Sequence, residues 1–225
     1  MVKRSRSPTD PIEKVNRESD ESFLKHYLGS TAGEVSPWTT SWTHPGTNQK
    51  HQISFSEAGR LTDEDFQACF ELIAETSRRD YEGSSLGWHP VKKRKEMRSP
   101  ELRYILVKDD AGFLCGFTSL MPTWEEGQAV VYCYEIHLKP EVQSTGLGRL
   151  LMGFHFTVAK NIPTVHKNML TCFLSNAKGL AFYERLGFTR DEISPRPRNL
   201  RGKVVHPDYV IMSRAVHGKD LTSDD

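Results

Sequence analysis

Gln143-Ser144-Thr145-Gly146-Leu147-Gly148, QSTGLG, joins two segments of opposite habit. Before it, residues 130–138 read VVYCYEIHL, an apolar run with strand character. After it, residues 149–160 read RLLMGFHFTVAK, with Leu150, Leu151, Phe154 and Val158 on one helical face. A helix start leaves backbone N–H groups without intrahelical partners and carries partial positive charge. Glycines let that backbone approach a ligand closely, and successive N–H groups can cradle phosphate oxygens. Ser144 and Thr145 add hydroxyls. Taken alone, the stretch reads equally well as a glycine-containing strand-to-helix turn.

Outward from this turn the pattern predicts a mixed sheet with helices packed on it, an α/β arrangement of the α+β kind. Upstream, strands are expected at 51–56, 102–107, 113–120 and 128–138, with Asp109-Asp110-Ala111-Gly112 turning the second into the third. A helix is expected from Thr62, which has Asp65 as its capping partner, and Phe66, Cys69, Phe70, Ile73 and Ala74 share one face. It is expected to break at Tyr81–His89, YEGSSLGWH. Downstream, a strand at 168–173, a helix at 177–186 ended by Gly187, and a last strand at 209–213 complete the set. Residues 1–11 read as a disordered basic tail, 12–28 as a helix on the domain surface, 29–49 as a loop, 51–216 as the main domain and 217–225 as a flexible tail.

The 225 residues carry a formal net charge of +1, so whole-chain charge points to neither nucleic acid nor membrane. Basic residues do cluster at Lys92-Lys93-Arg94-Lys95. That run reads either as a solvated helix face or as a localisation or nucleosome-facing patch. Cys69, Cys115, Cys133 and Cys172 have no metal-type spacing and read as buried reduced thiols, so no metal is expected. No run is apolar and long enough to span a bilayer, and a soluble protein of cytoplasm and nucleus is expected.

Residues 175–188, SNAKGLAFYERLGF, supply a second motif. Together with QSTGLG they make the chain resemble the GCN-five-related N-acetyltransferase superfamily over about 52–213. That superfamily's acetyl-CoA loop, Gln/Arg-x-x-Gly-x-Gly/Ala, is matched by Gln143, Gly146 and Gly148. Its second segment is matched at Asn176, Tyr183, Gly187 and Phe188, with Gly179 in an alanine place. The resemblance implies a mostly antiparallel sheet with two splayed parallel strands, and acetyl-CoA as cofactor. It implies that the pyrophosphate rests on the turn from Gln143 through Ser144, Thr145, Gly146 and Leu147 to Gly148. The pantetheine arm would then lie beside Ile136, His137 and Leu138, near Asn176 and Tyr183.

YCYEIHL, with YEGSSLGW and the strand bearing Tyr209, further resembles the NatD class of protein N-terminal acetyltransferases. That class acetylates the amino termini of the two core histones that begin Ser-Gly-Arg-Gly, so histone tails are the implied partner; separately, a monomer is expected. By this resemblance Glu135 falls on the catalytic glutamate, Tyr209 on an active-site tyrosine and Tyr81 on a substrate-side tyrosine. Tyr132, Tyr134 and Trp88 join the implied substrate site. The sequence departs from the class in two places: Leu86 stands for a substrate-contacting Trp, and Thr123 for an acidic residue, with Glu125 and Glu126 close behind.

The chemistry needs few groups. An α-amine with a reference pKa near ~8 must lose a proton before its nitrogen attacks a thioester. Glu135, directly or through water, is the candidate base, and backbone near His137 the candidate oxyanion donor. Tyr183 reads either as proton donor to the departing thiolate or as a positioning hydroxyl. Glu135 also reads as a structural ion pair, and Tyr132, Tyr134, His137 and Tyr209 as packing residues. Cys133 lacks a paired base and is not expected to act as a nucleophile.

Overall fold

The computed structural model of the chain describes residues 10–29, 37–200 and 203–216. The tail expected at 217–225, most of the tail expected at 1–11, and residues 30–36 of the expected loop lie outside these. The described chain begins with α1 (Pro11–Asn16) and α2 (Asp20–Phe23), then one π-helical turn at Leu24–Leu28. β1 (Ser41–Thr43) and β2 (Lys50–Glu57) precede α3 (Asp63–Glu82) and α4 (Pro90–Met97). β3 (Arg103–Lys108), β4 (Leu114–Glu125) and β5 (Gln128–Leu138) form a meander. α5 (Leu147–Asn161), β6 (Lys167–Phe173), α6 (Ala177–Arg185), β7 (Thr189–Arg190), the hairpin β8 (Arg198–Leu200) and β9 (Lys203–Val205), and β10 (Tyr209–Ala215) complete it.

Eight strands form one sheet in the order β1-β2-β3-β4-β5-β6-β10-β7. Every pairing in it is antiparallel except β5 with β6. The fold class read from the sequence is thus the one observed. β3 shows why the sheet is covered on both sides. Tyr104 and Leu106 join Phe66, Cys69, Phe70, Ile73 and Met97 of α3 and α4, whereas Ile105 and Val107 join Leu147, Leu151, Phe154 and Val158 of α5. Successive strand residues point to opposite faces, so a strand buried on both reads as a continuous apolar run.

The N-terminal segment differs from the expected surface helix. It is two short helices and a turn, and Phe23 and Leu28 are fully buried in the α5-side core. Each such side chain contributes roughly 1.5–3 kcal/mol on burial. Pro11, read with the tail, is the first residue of α1, and Asp10 caps it by accepting from the Ile12 and Glu13 N–H groups. Arg103 fastens the segment: it donates to Asp20 Oδ1 at 3.1 Å and to the Glu18 carbonyl at 2.6 Å, and its guanidinium lies 4.2 Å from the Phe23 ring centroid.

Two further departures shape the site. Thr62 does cap α3, accepting from the Asp65 N–H, but the helix continues through Tyr81 to Glu82 rather than ending before it. In β5, Ser119 lies opposite Glu135 and Leu120 opposite Cys133, which leaves Tyr134 as an extra, bulged residue.

Candidate active site

The bulge decides which side chains meet. Strict alternation would put Tyr134 and Glu135 on opposite faces of β5. One inserted residue breaks the alternation locally. Cys133 and Ile136 pack on the α5 side, while Tyr134 packs against the α3–α4 cluster and Glu135 bonds to α4. Tyr132, Tyr134, Glu135 and His137 therefore all face one cavity.

Glu135 is held from both sides. Lys93 Nζ donates to its Oε1 at 2.9 Å, and His137 Nε2 lies 2.6 Å from its Oε2. The far nitrogen of His137, Nδ1, is 2.6 Å from Thr76 Oγ1 on α3. Burial alone would push the Glu135 carboxyl up, but Lys93 and the His137 contact outweigh it and hold the carboxyl below its ordinary value. Lys93 is pushed up: burial opposes its charge, and Glu135, Tyr81 and Glu96 more than restore it. The bonded pair is hence a carboxylate and an ammonium.

Aromatic side chains wall this pair. The Tyr81 ring centroid lies 4.9 Å from Lys93 Nζ, 5.5 Å from that of Trp88 and 4.8 Å from that of Phe173. Tyr132 and Tyr134 are 5.4 Å apart, and the Tyr132 hydroxyl meets Thr171 Oγ1 at 2.6 Å. Burial pushes both of these phenols up to about 12, so they stay protonated. Burial also raises Tyr183 well above the usual phenol range. It remains a donor at any ordinary pH.

Parallel pairing of β5 with β6 runs only from Val130–Lys167 to Cys133–Leu170. Beyond it the two strands are not paired with each other, and a cavity of about 1190 Å³ opens between them. At the C-terminal end of β5 lies the QSTGLG turn. Gln143 Nε2 donates to the Leu138 carbonyl at 2.9 Å and ties the turn to the strand. Gly146 caps α5 at φ +94 with no side chain bonded across the helix start. Only glycine adopts that φ at low cost, and the cap leaves the first-turn N–H groups directed outward. A Cβ on Gly148 would meet the Phe182 ring at 3.3 Å, so this glycine serves α5–α6 packing. The turn, with Arg149, Lys178 and Arg185 on the cavity wall, fits the phosphates of an acyl-CoA.

Most of the expected site residues line this one cavity: Tyr81, Leu86, Trp88, Glu125, Tyr132, Tyr134, Glu135, Ile136, His137, Leu138, Gln143, Ser144, Gly146, Gly148, Asn176 and Tyr183. Thr123, Thr145, Leu147 and Tyr209 do not. Leu147 is fully buried, and Thr145 donates to the Val142 carbonyl. Thr123 faces Val130 within the hairpin. Tyr209 opens β10 opposite Phe173, beside Asp208, whose carboxylate accepts the Ser85 N–H and so fixes the loop after α3. Asn176 caps α6, accepting from Gly179 N–H at 2.8 Å.

Sequence reading missed Lys93 and Glu96. Within α4, Lys92 and Lys95 are exposed but Lys93 is buried, so the run is not wholly a solvated face. The available signal was Met97, an apolar residue among charges that marks the inward face, with Lys93 one turn before it.

Residues 62–188, more than half the chain, match the model of the acetyltransferase (GNAT) family. Over 177 residues the chain is 32% identical to N-alpha-acetyltransferase 40 of Saccharomyces cerevisiae, a match spanning 64% of this chain and 61% of that protein, less than two thirds of its length. The fold is shared with Arabidopsis thaliana NAA60, solved with acetyl-CoA (TM-score 0.53, 12% identity, 74% of this chain and 100% of that one). It is shared too with the ribosomal-protein-S18-alanine N-acetyltransferase of Escherichia coli (TM-score 0.50, 17% identity, 76% and 100%).

Proposed function

Because the chain belongs to the GNAT acetyltransferase family, we propose that it moves acetyl from acetyl-CoA to the free amino terminus of a protein, and that the acceptors are histone tails beginning Ser-Gly-Arg-Gly. The observation that carries this reading is the polarity of the cavity along β5. Arg149, Lys178 and Arg185 accompany the glycine turn after Leu138, whereas the acids Glu135, Glu96 and Glu125 line the acceptor side, where Lys93 bonds the first two and Lys92 joins the wall. A phosphate-bearing donor and a cationic acceptor would enter such a cavity from opposite ends.

When bound, acetyl-CoA supplies an activated thioester. Glu135 receives the proton of the incoming ammonium, directly or through one water. Tyr81, Trp88, Tyr132 and Tyr134 exclude water around it and stack against the first residues of the tail. Tyr183, a persistent donor, serves the departing sulfur, and Asp208, next to Tyr209, steadies the loop after α3 by accepting from the Ser85 N–H. Glu125, half-buried at the end of β4, meets a basic side chain at the third position, in the absence of an acid at Thr123. The similarity to the yeast N-alpha-acetyltransferase 40 supports an amino-terminal acceptor.

The test is mass spectrometry on a Ser-Gly-Arg-Gly peptide with a free or a blocked amino terminus. Acetylation confined to the free terminus is expected. Transfer to an internal lysine of the blocked peptide would replace this reading with a side-chain acetyltransferase.

A further inference from the structure

Lys93 is a buried charge, bonded to the candidate base, without a task in the chemistry above. Its Nζ lies 2.9 Å from Glu135 Oε1 and 2.6 Å from Glu96 Oε1, and its side chain is only 8% exposed. Lysine is seldom buried unless paired, because an ammonium stripped of water is costly. Here the stem runs inward from α4, and its tip stands beneath the Tyr81 ring. The carboxylate of Glu135 is thus gripped at Oε1 by α4 and at Oε2 by His137 of its own strand. Each carboxylate oxygen has two lone pairs, so a gripped Glu135 still has acceptor capacity towards the cavity.

The geometry points to Lys93 as a positioning residue for acetyl transfer: its ammonium fixes the Glu135 side chain and keeps it a carboxylate, ready for the proton of the acceptor amine. The inference rests on the role given to Glu135 above. The groups around Glu135 leave few other ways to hold the charge. From α3 come Thr76, Tyr81 and Cys69, from β3 Tyr104, from α6 Tyr183, and from β5 Cys133 and His137. The phenols and thiols among them are all raised and uncharged in the acid range. Glu96 on α4 carries the same sign as Glu135 and is shared through Lys93. Among the described residues, Lys93 and His137 are the bonded partners that oppose the cost of burying this carboxylate. Lys93 brings a full charge, which a rotating helix or a shorter side chain at this place would withdraw.

The experiment uses the full chain labelled with [13Cδ]glutamate. The Glu135 carboxyl resonance is identified by its loss in Glu135→Gln. Its titration midpoint should rise in Lys93→Met and stay near the wild-type position in Lys93→Arg. With the peptide that the wild type acetylates, kcat should fall about ten- to a hundred-fold in Lys93→Met, the range for a lost hydrogen bond to a charged group. The acid limb of kcat should move to higher pH while KM changes little. Lys93→Met should add little in a Glu135→Gln background. A folded Lys93→Met with unmoved midpoint and acid limb would overturn the inference. Should that variant fail to fold, Glu96→Gln removes the negative charge that competes with Glu135 for Lys93, although its amide oxygen can still accept from Lys93. Its Glu135 midpoint must then fall, and an unmoved midpoint is equally fatal. The titration requires no acceptor, so it separates an error about Lys93 from an error about the reaction.

Discussion

The ammonium of Lys93 and the carboxylate of Glu135 lie 2.9 Å apart across 42 residues of sequence. The contact binds α4 to the bulged part of β5 and puts an ionised acid in a closed setting. A base buried this way can act at neutral pH only if it stays ionised. Partner charges, rather than exposure to water, must then maintain it.

Replacing Glu135 with Gln keeps the shape and removes the proton acceptor. General-base loss typically costs roughly 10²–10⁴ in rate. Turnover within a few-fold of wild type, at unchanged acetyl-CoA affinity, would make Glu135 purely structural. Stability provides an independent reading. The folded carboxyl lies below its unfolded value, so its contribution is complete above the ordinary glutamate range. It is lost as pH falls through that range towards the folded value. Urea midpoints at pH 7 and pH 4 should therefore differ more for wild type than for Glu135→Gln.

Gly146 tests the donor end. A Cβ there meets no atom within 4 Å, so space is not limiting, but φ +94 strains any other residue. Gly146→Asp adds that strain and a negative charge where phosphates would lie. Calorimetry should show acetyl-CoA affinity falling far more than the unfolding midpoint does. Unchanged affinity would remove the phosphate-binding role of this turn.

His155 probes the opposite face of the sheet. It is fully buried, its Nε2 lies 2.8 Å from Thr118 Oγ1, and burial pushes it down to about 3. An unfolded histidine titrates near ~6.5. As pH falls below that value the unfolded chain gains a proton that folded His155 refuses, so stability drops by at most about 1.4 kcal/mol per pH unit for this one group. Wild type should lose more stability than His155→Gln between pH 7 and pH 5. Parallel slopes would show that the folded protein admits a charged His155.

The fold was legible in periodicity. VVYCYEIHL and the helix after QSTGLG form β5 and α5 with boundaries shifted by at most two residues. The donor turn was legible through the resemblance of QSTGLG and SNAKGLAFYERLGF to the superfamily's two motifs, since the glycines alone read equally well as a plain strand-to-helix turn. The acceptor side was less so. A bulge at Tyr134 depends on the partner strand β4, which nothing local to YCYEIHL reveals. Lys93 looked like one of four surface cations because its burial is set by tertiary contacts with Glu135 and Tyr81. Phe23 and Leu28 seemed sparse on a surface helix because their packing partners, among them Phe55 and the α5 core, lie far along the chain.

Specificity gives the sharpest test of the acceptor. An arginine at the third position of the tail needs an acid, since a guanidinium losing water without one is costly. Glu125 lines the cavity beyond Tyr132 and Tyr134, and burial, with Glu126 beside it, raises its carboxyl. An incoming guanidinium would relieve that penalty. Glu125→Gln should therefore impair an Arg-bearing peptide more than an otherwise identical Ala-bearing one. Hydrogen bonds to charged groups suggest a difference of about 1.5–3 kcal/mol, or ten- to a hundred-fold in kcat/KM. Thr123 does not line the cavity, but the two-residue period of β4 puts it on the Glu125 face. Thr123→Asp should accordingly strengthen the preference for arginine. Equal losses on both peptides from Glu125→Gln would assign Glu125 to the hairpin rather than to the acceptor, and would take away the chemical ground for a tail with arginine in third place.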